Sequence, residues 1–226
     1  MRKPGKSGGI DMIKIAPSIL AADVLHLERD VRRVMQAGAD WLHVDIMDAH
    51  FVHNLAYSPE VVRRLKAIAS VPLDVHLMMD QPGRYLDTFL DAGADILTIH
   101  TEIGGDIGGM LDKIRRRGAK AGLALKPGTG LSAVMPYLDQ ADLILTMTVE
   151  PGFGGQVLNE AVLPKIAELR EAGYQGEIEA DGGVTEANLE RLIRKGLSVA
   201  VMGTAVYSAE DPEGMIRRLH RMGGGS

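Results

Sequence analysis

Short apolar runs alternate along the chain with longer segments in which apolar positions recur at helical spacing. Four segments repeat one pattern, beginning at Ala37 (AGADWLHVDIMD), Ala92 (AGADILTIH), Gln140 (QADLILTM) and Lys195 (KGLSVAVMG). Each reads as a helix end closed by a small residue or glycine, followed by a short strand. The repeats stand about fifty residues apart, which leaves room for one more strand and helix between successive copies. The intervening strands read as Ile13–Ile19, Val71–Leu77, Lys120–Leu125 and Gly176–Asp181. Helices are predicted over Pro59–Ala69, Ile107–Arg117 and Glu160–Ala172, and around Leu25, Leu27, Val31, Val34 and Met35, which are spaced among charges.

Strands alternating with helices imply a parallel sheet. Four units of two strands and two helices predict an α/β chain folded as a closed (β/α)8 TIM barrel over residues 13–222. Residues 1–12 are then an N-terminal extension and 223–226 a Gly-rich tail. An open doubly wound sheet is the structural alternative, but no G-x-G-x-x-G follows the first strand.

The central stretch is Leu42–Val52, LHVDIMDAHFV. On a strand, Leu42, Val44 and Ile46 share one apolar face, while His43, Asp45 and Met47 share the other. Two other predicted strands end similarly, with His76 in LDVHLM and Asp181 in IEADGG. Two imidazoles and two carboxylates at strand ends can aim at one divalent metal ion from rigid supports. Ser18, His100, Lys126, Met147, Gly203 and Thr204 also fall at strand ends, where barrel chemistry occurs. For His100 and Lys126, a solvated loop position is the favoured reading.

Composition narrows the picture further. With 226 residues, 46% of them apolar, the chain suits one barrel and can bury a large core. The net charge of −5 and the lack of a basic stripe give no sign of a nucleic-acid partner. No apolar run reaches the length of a membrane span, and no secretory signal is recognisable. The absence of cysteine excludes thiol chemistry and fits a cytoplasmic setting.

Glycine-rich segments follow three adjacent strands: PGFGGQ (Pro151–Gln156), DGG (Asp181–Gly183) and MGTAV (Met202–Val206). Such loops let backbone N–H groups approach an anion, and barrels commonly bind phosphate after strands seven and eight. Gly152, Phe153, Gly154, Gly155, Gly182, Gly183, Gly203 and Thr204 are therefore candidate contacts for a phosphorylated ligand. With no Arg or Lys in these loops, phosphate would be held by backbone amides and by Thr204.

KIAPSILAAD, AGADWLHVDIMDAHFV, LDVHLM, MTVEPGFGGQ and DGGV, taken in this order, resemble the signature segments of the ribulose-phosphate 3-epimerases. The resemblance spans Ile13 to His220. It implies interconversion of D-ribulose 5-phosphate and D-xylulose 5-phosphate with a divalent metal: zinc, iron, manganese or cobalt. Carried over by motif, His43, Asp45, His76 and Asp181 are the metal ligands, and Asp45 and Asp181 are the two acid/base groups. Ser18 and His76 are implied at the substrate, with Met47, Met78 and Met147 lining the site. The resemblance also implies a homo-oligomer, either dimer or hexamer.

Several positions depart from the family pattern: Ala49 and Ser58 stand where glycine is usual, and His53 where proline is. LKPGTG, with Lys126 and Gly128, replaces LNPATP, and Thr204 stands in place of serine. Ser58 and Thr204 are similar to the allulose-6-phosphate 3-epimerases, which perform the same inversion on a ketohexose phosphate. A sugar-phosphate-binding barrel without activity is a further alternative, which the intact pair of carboxylates argues against. Finally, Asp74 and Glu179 share the inward parity of His76 and Asp181, and Lys14 shares that of Ser18. These three are expected to form an inward charged layer beneath the metal.

Overall fold

A computed structural model describes residues 12–223. Residues 1–11 of the N-terminal extension and 224–226 of the Gly-rich tail lie outside the described residues. Eight parallel strands form the wall: β1 (Lys14–Pro17), β2 (Leu42–Asp48), β4 (Leu73–Met78), β5 (Ile96–His100), β6 (Lys120–Leu125), β7 (Leu143–Met147), β8 (Glu177–Asp181) and β9 (Val199–Met202). The short β3 (Leu55–Ala56) runs antiparallel against the end of β2. The strand order is β1-β9-β8-β7-β6-β5-β4-β2-β3. A parallel bridge between Ser18 and His43 joins the two ends of this wall, so the sheet curls shut as a barrel. That closure brings the residue after β1 against the first polar residue of β2.

The strands are buried on both faces, which explains their near-continuous apolar runs. Leu42, Val44 and Ile46 pack outward with the helices, in one core with Val62, Leu65, Leu73 and Val75. Ala16, Ile96, Leu143, Leu145, Val199 and Val201 fill the barrel itself. Trp41 closes the floor of that inner core, with the Lys14 and Lys120 ammonium groups 5.9 and 5.7 Å from its ring centroid. A large aromatic plug capped by cations keeps water out of one end and leaves the other free for polar side chains.

The helices are α1 (Leu27–Gln36), α2 (Pro59–Ile68), α3 (Leu86–Ala92), α4 (Ile107–Arg116), α5 (Leu163–Glu171), α6 (Glu186–Arg194), α7 (Thr204–Tyr207) and α8 (Pro212–Gly223). They do not follow one per strand. Between β6 and β7 the chain makes only two 3-10 turns, Leu131–Ala133 and Met135–Tyr137. Pro136 lacks the N–H that a continuing helix needs there. Two helices, α7 and α8, follow β9 instead.

Gly223 is the last residue of α8 and is buried against Ile13, where an added Cβ would lie 2.6 Å from the Ile13 nitrogen. α8 is also fastened by His220, whose Nε2 lies 2.8 Å from Asp40 Oδ2, an oxygen that accepts from the Ile15 N–H at 2.7 Å.

Directly after β2, Ala49 adopts φ +61°, in the left-handed region that disfavours a Cβ. This is one of the positions at which the sequence departs from glycine. Ala49→Gly is expected to stabilise the protein by about 0.5–1 kcal/mol, the left-handed penalty less the entropy that glycine loses on folding. Urea unfolding of the two proteins measures this; a loss of stability would show that Ala49 is not strained.

Candidate active site

His43, Asp45, His76 and Asp181 come from three strands and meet at the C-terminal mouth of the barrel. Period-two alternation turns His43 and Asp45 inward on β2, His76 inward on β4 and Asp181 inward on β8. One ligand atom from each lies within 4.8 Å of all the others. Asp45 Oδ1 is 3.3 Å from His43 Nε2 and 3.3 Å from His76 Nδ1. Asp181 Oδ2 stands slightly further out, 3.9 and 4.0 Å from the same nitrogens. Ligands about 2.0–2.1 Å from a tetrahedral ion lie roughly 3.3–3.4 Å from one another. Asp45 Oδ1 has that spacing to both nitrogens, and Asp181, at the cavity edge, needs only a small movement to join them. His43 Nε2 is also buried with no hydrogen-bond partner, and a bound cation would satisfy it.

The groups behind these atoms hold them in place. Ser18 Oγ donates to Asp45 Oδ2 at 2.7 Å. His43 Nδ1 lies 2.6 Å from Asp74 Oδ2, so its N–H donates to that carboxylate and Nε2 faces the site. Glu179 lies beneath, with Oε1 3.6 Å from His43 Nδ1 and neither oxygen hydrogen-bonded. Burial, reinforced by Asp74, pushes the Glu179 carboxyl well above the usual carboxylate range, so it is neutral.

Asp74 and Glu179 are thus the inward layer that the alternation predicts, and both are fully buried. Lys14 does not join them. Its ammonium reaches the floor of the barrel and pairs with Glu177 Oε1 at 2.9 Å, with 29% of the side chain exposed. A flexible four-carbon stem lets the charge stay hydrated at the rim, which costs less than burying it.

The two carboxylates have been driven apart. Burial opposes ionisation of Asp45, but the charge of His43 and the hydrogen bond from His76 outweigh it and hold the group well below the carboxylate range. At Asp181, burial and the negative Asp45 raise the value to about 6. For His43, burial favours the neutral ring, yet Asp45 and Asp74 override it and hold the imidazole protonated well above its usual range.

His100 overturns the expectation of a solvated loop residue. It is fully buried at the end of β5, with Nε2 2.8 Å from His76 Nε2 and Nδ1 3.0 Å from Glu102 Oε2. Its ring packs on His76 and Phe51, at centroid distances of 4.9 and 4.7 Å. Burial lowers its pKa to about 4, so it is neutral. Alternation could have revealed it, because Ile96, Thr98 and His100 have one parity and Ile96 faces the barrel interior. Lys126 is partly exposed, with Nζ 3.9 Å from the Phe51 ring centroid.

Above the cluster opens a cavity of about 460 Å³. Ser18, Asp45, Asp181 and the sulfur-bearing Met47, Met78 and Met147 line its inner end. Gly152, Phe153, Gly154, Gly155, Gly182, Gly183, Gly203 and Thr204 line the rest, together with Gln156 and Thr185, which the sequence did not single out. Glycine is required at Gly183, where φ is +66° and a Cβ would lie 2.4 Å from the Leu158 nitrogen. His43 and His76 are buried behind the cavity wall rather than on it.

A parallel barrel with a polar cluster and a cavity at the C-terminal strand ends is the form of a barrel enzyme. Residues 14–207 match the ribulose-phosphate 3 epimerase family. The chain is 42% identical to ribulose-phosphate 3-epimerase of Bacillus subtilis over 92% of its own length and 98% of that protein's. It is 45% identical to the chloroplastic ribulose-5-phosphate-3-epimerase of Arabidopsis thaliana, over 88% of this chain and 73% of the other. The chain belongs to the ribulose-phosphate 3-epimerase family and is an enzyme of that type. Among solved structures, KGPDC from Streptococcus mutans superposes with TM-score 0.71 at 14% identity, covering 94% of this chain and 97% of that one. Orotidine 5'-phosphate decarboxylase from Pyrococcus horikoshii superposes with TM-score 0.70 at 14% identity, covering 94% and 100%. These two likenesses concern the fold. Among the described residues, no helix is long and apolar enough to cross a membrane.

A cation at the cluster must displace the proton from His43 Nε2 and meet an ionised Asp181. Loading with a divalent metal at pH 7 is therefore expected to release about one proton. Affinity should weaken as pH falls through about 6, where Asp181 takes up its proton. Calorimetry in two buffers of different ionisation enthalpy measures the release; a pH-independent affinity with no proton released would contradict the assigned charge states.

Proposed function

We propose that the enzyme inverts C3 of D-ribulose 5-phosphate to give D-xylulose 5-phosphate, using Asp45 and Asp181 as opposed acid/base groups. The observation that carries this reading is a pair of cavity-lining carboxylates, from strands separated around the wall, with affinities for a proton that have been driven apart. Inverting a carbon next to a carbonyl means removing its proton on one face and supplying one on the other. A single carboxylate cannot readily reach both faces. Asp45 and Asp181 face the cavity from different strands, so one accepts the C3 proton while the other supplies a proton on the opposite face. In the reverse reaction the two exchange roles.

His43, Asp45, His76 and Asp181 would hold the divalent metal. An N/O donor set without thiolate suits zinc, iron, manganese or cobalt. When bound, such an ion supplies Lewis acidity that stabilises negative charge developing on the substrate oxygens. The methionine sulfurs offer polarizable contacts to a planar enediolate and carry no exchangeable proton. Ser18 orients Asp45 through its hydrogen bond and reaches the substrate from β1. The Gly-rich loops and Thr204 receive the phosphate through backbone N–H groups and a hydroxyl, which sets the distance from phosphate to C3.

Proton exchange at C3 tests this directly. Metal-loaded enzyme in heavy water is expected to exchange the C3 hydrogen of D-ribulose 5-phosphate while forming xylulose 5-phosphate, as followed by NMR. Asp181→Asn and Asp45→Asn should each lower turnover by about 10²- to 10⁴-fold, the usual contribution of a positioned acid or base. Exchange of a ketohexose 6-phosphate but not of the pentulose would move the substrate to the allulose-6-phosphate class. No exchange with either would leave a sugar-phosphate-binding protein.

A further inference from the structure

His43 and His76 are the two imidazoles of the cluster, and different groups support them. Asp74 accepts the rear N–H of His43 directly. His76 faces the cluster through Nδ1, and its rear nitrogen, Nε2, meets another imidazole at His100 Nε2, 2.8 Å away. Two neutral rings joined nitrogen to nitrogen can share only one hydrogen, so one ring donates and the other accepts. The direction is set further back. Glu102 Oε1 already accepts from the Lys126 backbone N–H at 2.7 Å and from Thr129 Oγ1 at 2.5 Å. Its other oxygen, Oε2, is 3.0 Å from His100 Nδ1 and can only accept. His100 therefore carries its hydrogen on Nδ1 and offers a lone pair at Nε2, to which His76 Nε2–H donates. In the neutral ring that a metal ion requires, this leaves the lone pair of His76 on Nδ1, facing Asp45 and Asp181.

We propose that His100 and Glu102 are positioning residues that lock His76 in the tautomer whose Nδ1 can bind a metal ion. This deepens the metal-site reading above and rests on it. The relay has a firm anchor. The loop that holds Glu102 curls around the Lys165 ammonium, which donates to the carbonyls of Pro127 and Thr129 at 2.7 and 2.6 Å. One chain of contacts thus runs from α5, through the loop after β6, to Glu102, His100 and His76. On the other side, Phe51 packs against the His100 ring and keeps it facing His76. Without an acceptor behind it, His76 could move its hydrogen to Nδ1 and donate to Asp45 Oδ1, 3.3 Å away, which would remove it as a ligand.

Three variants test the relay. His100→Phe keeps the ring volume and removes the acceptor. Glu102→Gln, at a less buried position, weakens the group that sets the direction. His100→Gln restores an acceptor oxygen where Nε2 stood. Affinity for Co²⁺ or Zn²⁺ is read by competition with a chelator, and the visible spectrum of the Co²⁺ form reports the ligand set. H100F is expected to lose about 10- to 100-fold in affinity, the usual effect of removing a group that orients a metal-binding histidine. E102Q should lose less, and H100Q should recover most of the wild-type value. In the ¹⁵N-histidine-labelled Zn²⁺ protein, a nitrogen–nitrogen coupling across the hydrogen bond between His76 and His100 is expected. Its absence, or unchanged affinity and spectrum in both H100F and E102Q, would overturn the relay while leaving the four-residue metal site standing. A wild-type protein that bound neither ion would overturn the metal site as well.

Discussion

The whole active end of the barrel depends on one electrostatic constraint: ionisable groups placed where water is scarce must be matched by one another. Several kcal/mol are at stake for each ion removed from water. The cluster meets this by alternating charge. Cationic His43 stands between Asp45 and Asp74, and Glu179, which nothing pairs, stays neutral. Leaving His43 Nε2 without a partner is a cost the fold alone does not relieve, and binding chemistry does. That is how a site differs from a buried salt bridge: the arrangement is incomplete in a specific direction.

The same constraint divides the barrel along its axis. At the floor, Trp41 fills the interior and the lysines stay at the rim, where their charges remain hydrated. In the middle, Leu143, Leu145, Val199 and Val201 exclude water. At the mouth, that dry layer lowers the local dielectric, which sharpens every interaction among His43, His76, Asp45 and Asp181. The strands that support the site are therefore also its insulation. The carboxylates of the cluster sit on strands and not on the Gly-rich loops above, so rigid elements fix their positions.

Much of this was legible in the order of residues. Strand alternation located His43, Asp45, His76 and Asp181 on the inner face, and the structure brings all four together. It also placed Asp74 and Glu179 beneath them. It failed where a side chain's reach matters more than its parity: Lys14 has the inward parity, yet its stem carries the charge to Glu177. At His100 the parity was right but overlooked: a strand-end residue reads as solvated until Phe51 and His76 are seen to cover it. The link between β6 and β7 lacks its expected helix because Pro136 interrupts it, which is a local signal that repeat counting passes over.

The sequence by itself determined the element types, the parallel barrel and the faces on which the chemistry-bearing residues lie, because these follow from periodicities of two and 3.6 residues. Only the tertiary structure decided which of those residues touch. The contact between His76 and His100 crosses two strands, and the hold on Glu102 comes from a loop 24 residues further along the chain. Those distances depend on strand stagger and loop path, and the closing bridge from Ser18 to His43 depends on how the whole sheet curls. No local pattern encodes these, because each is fixed jointly by all the strands of the wall.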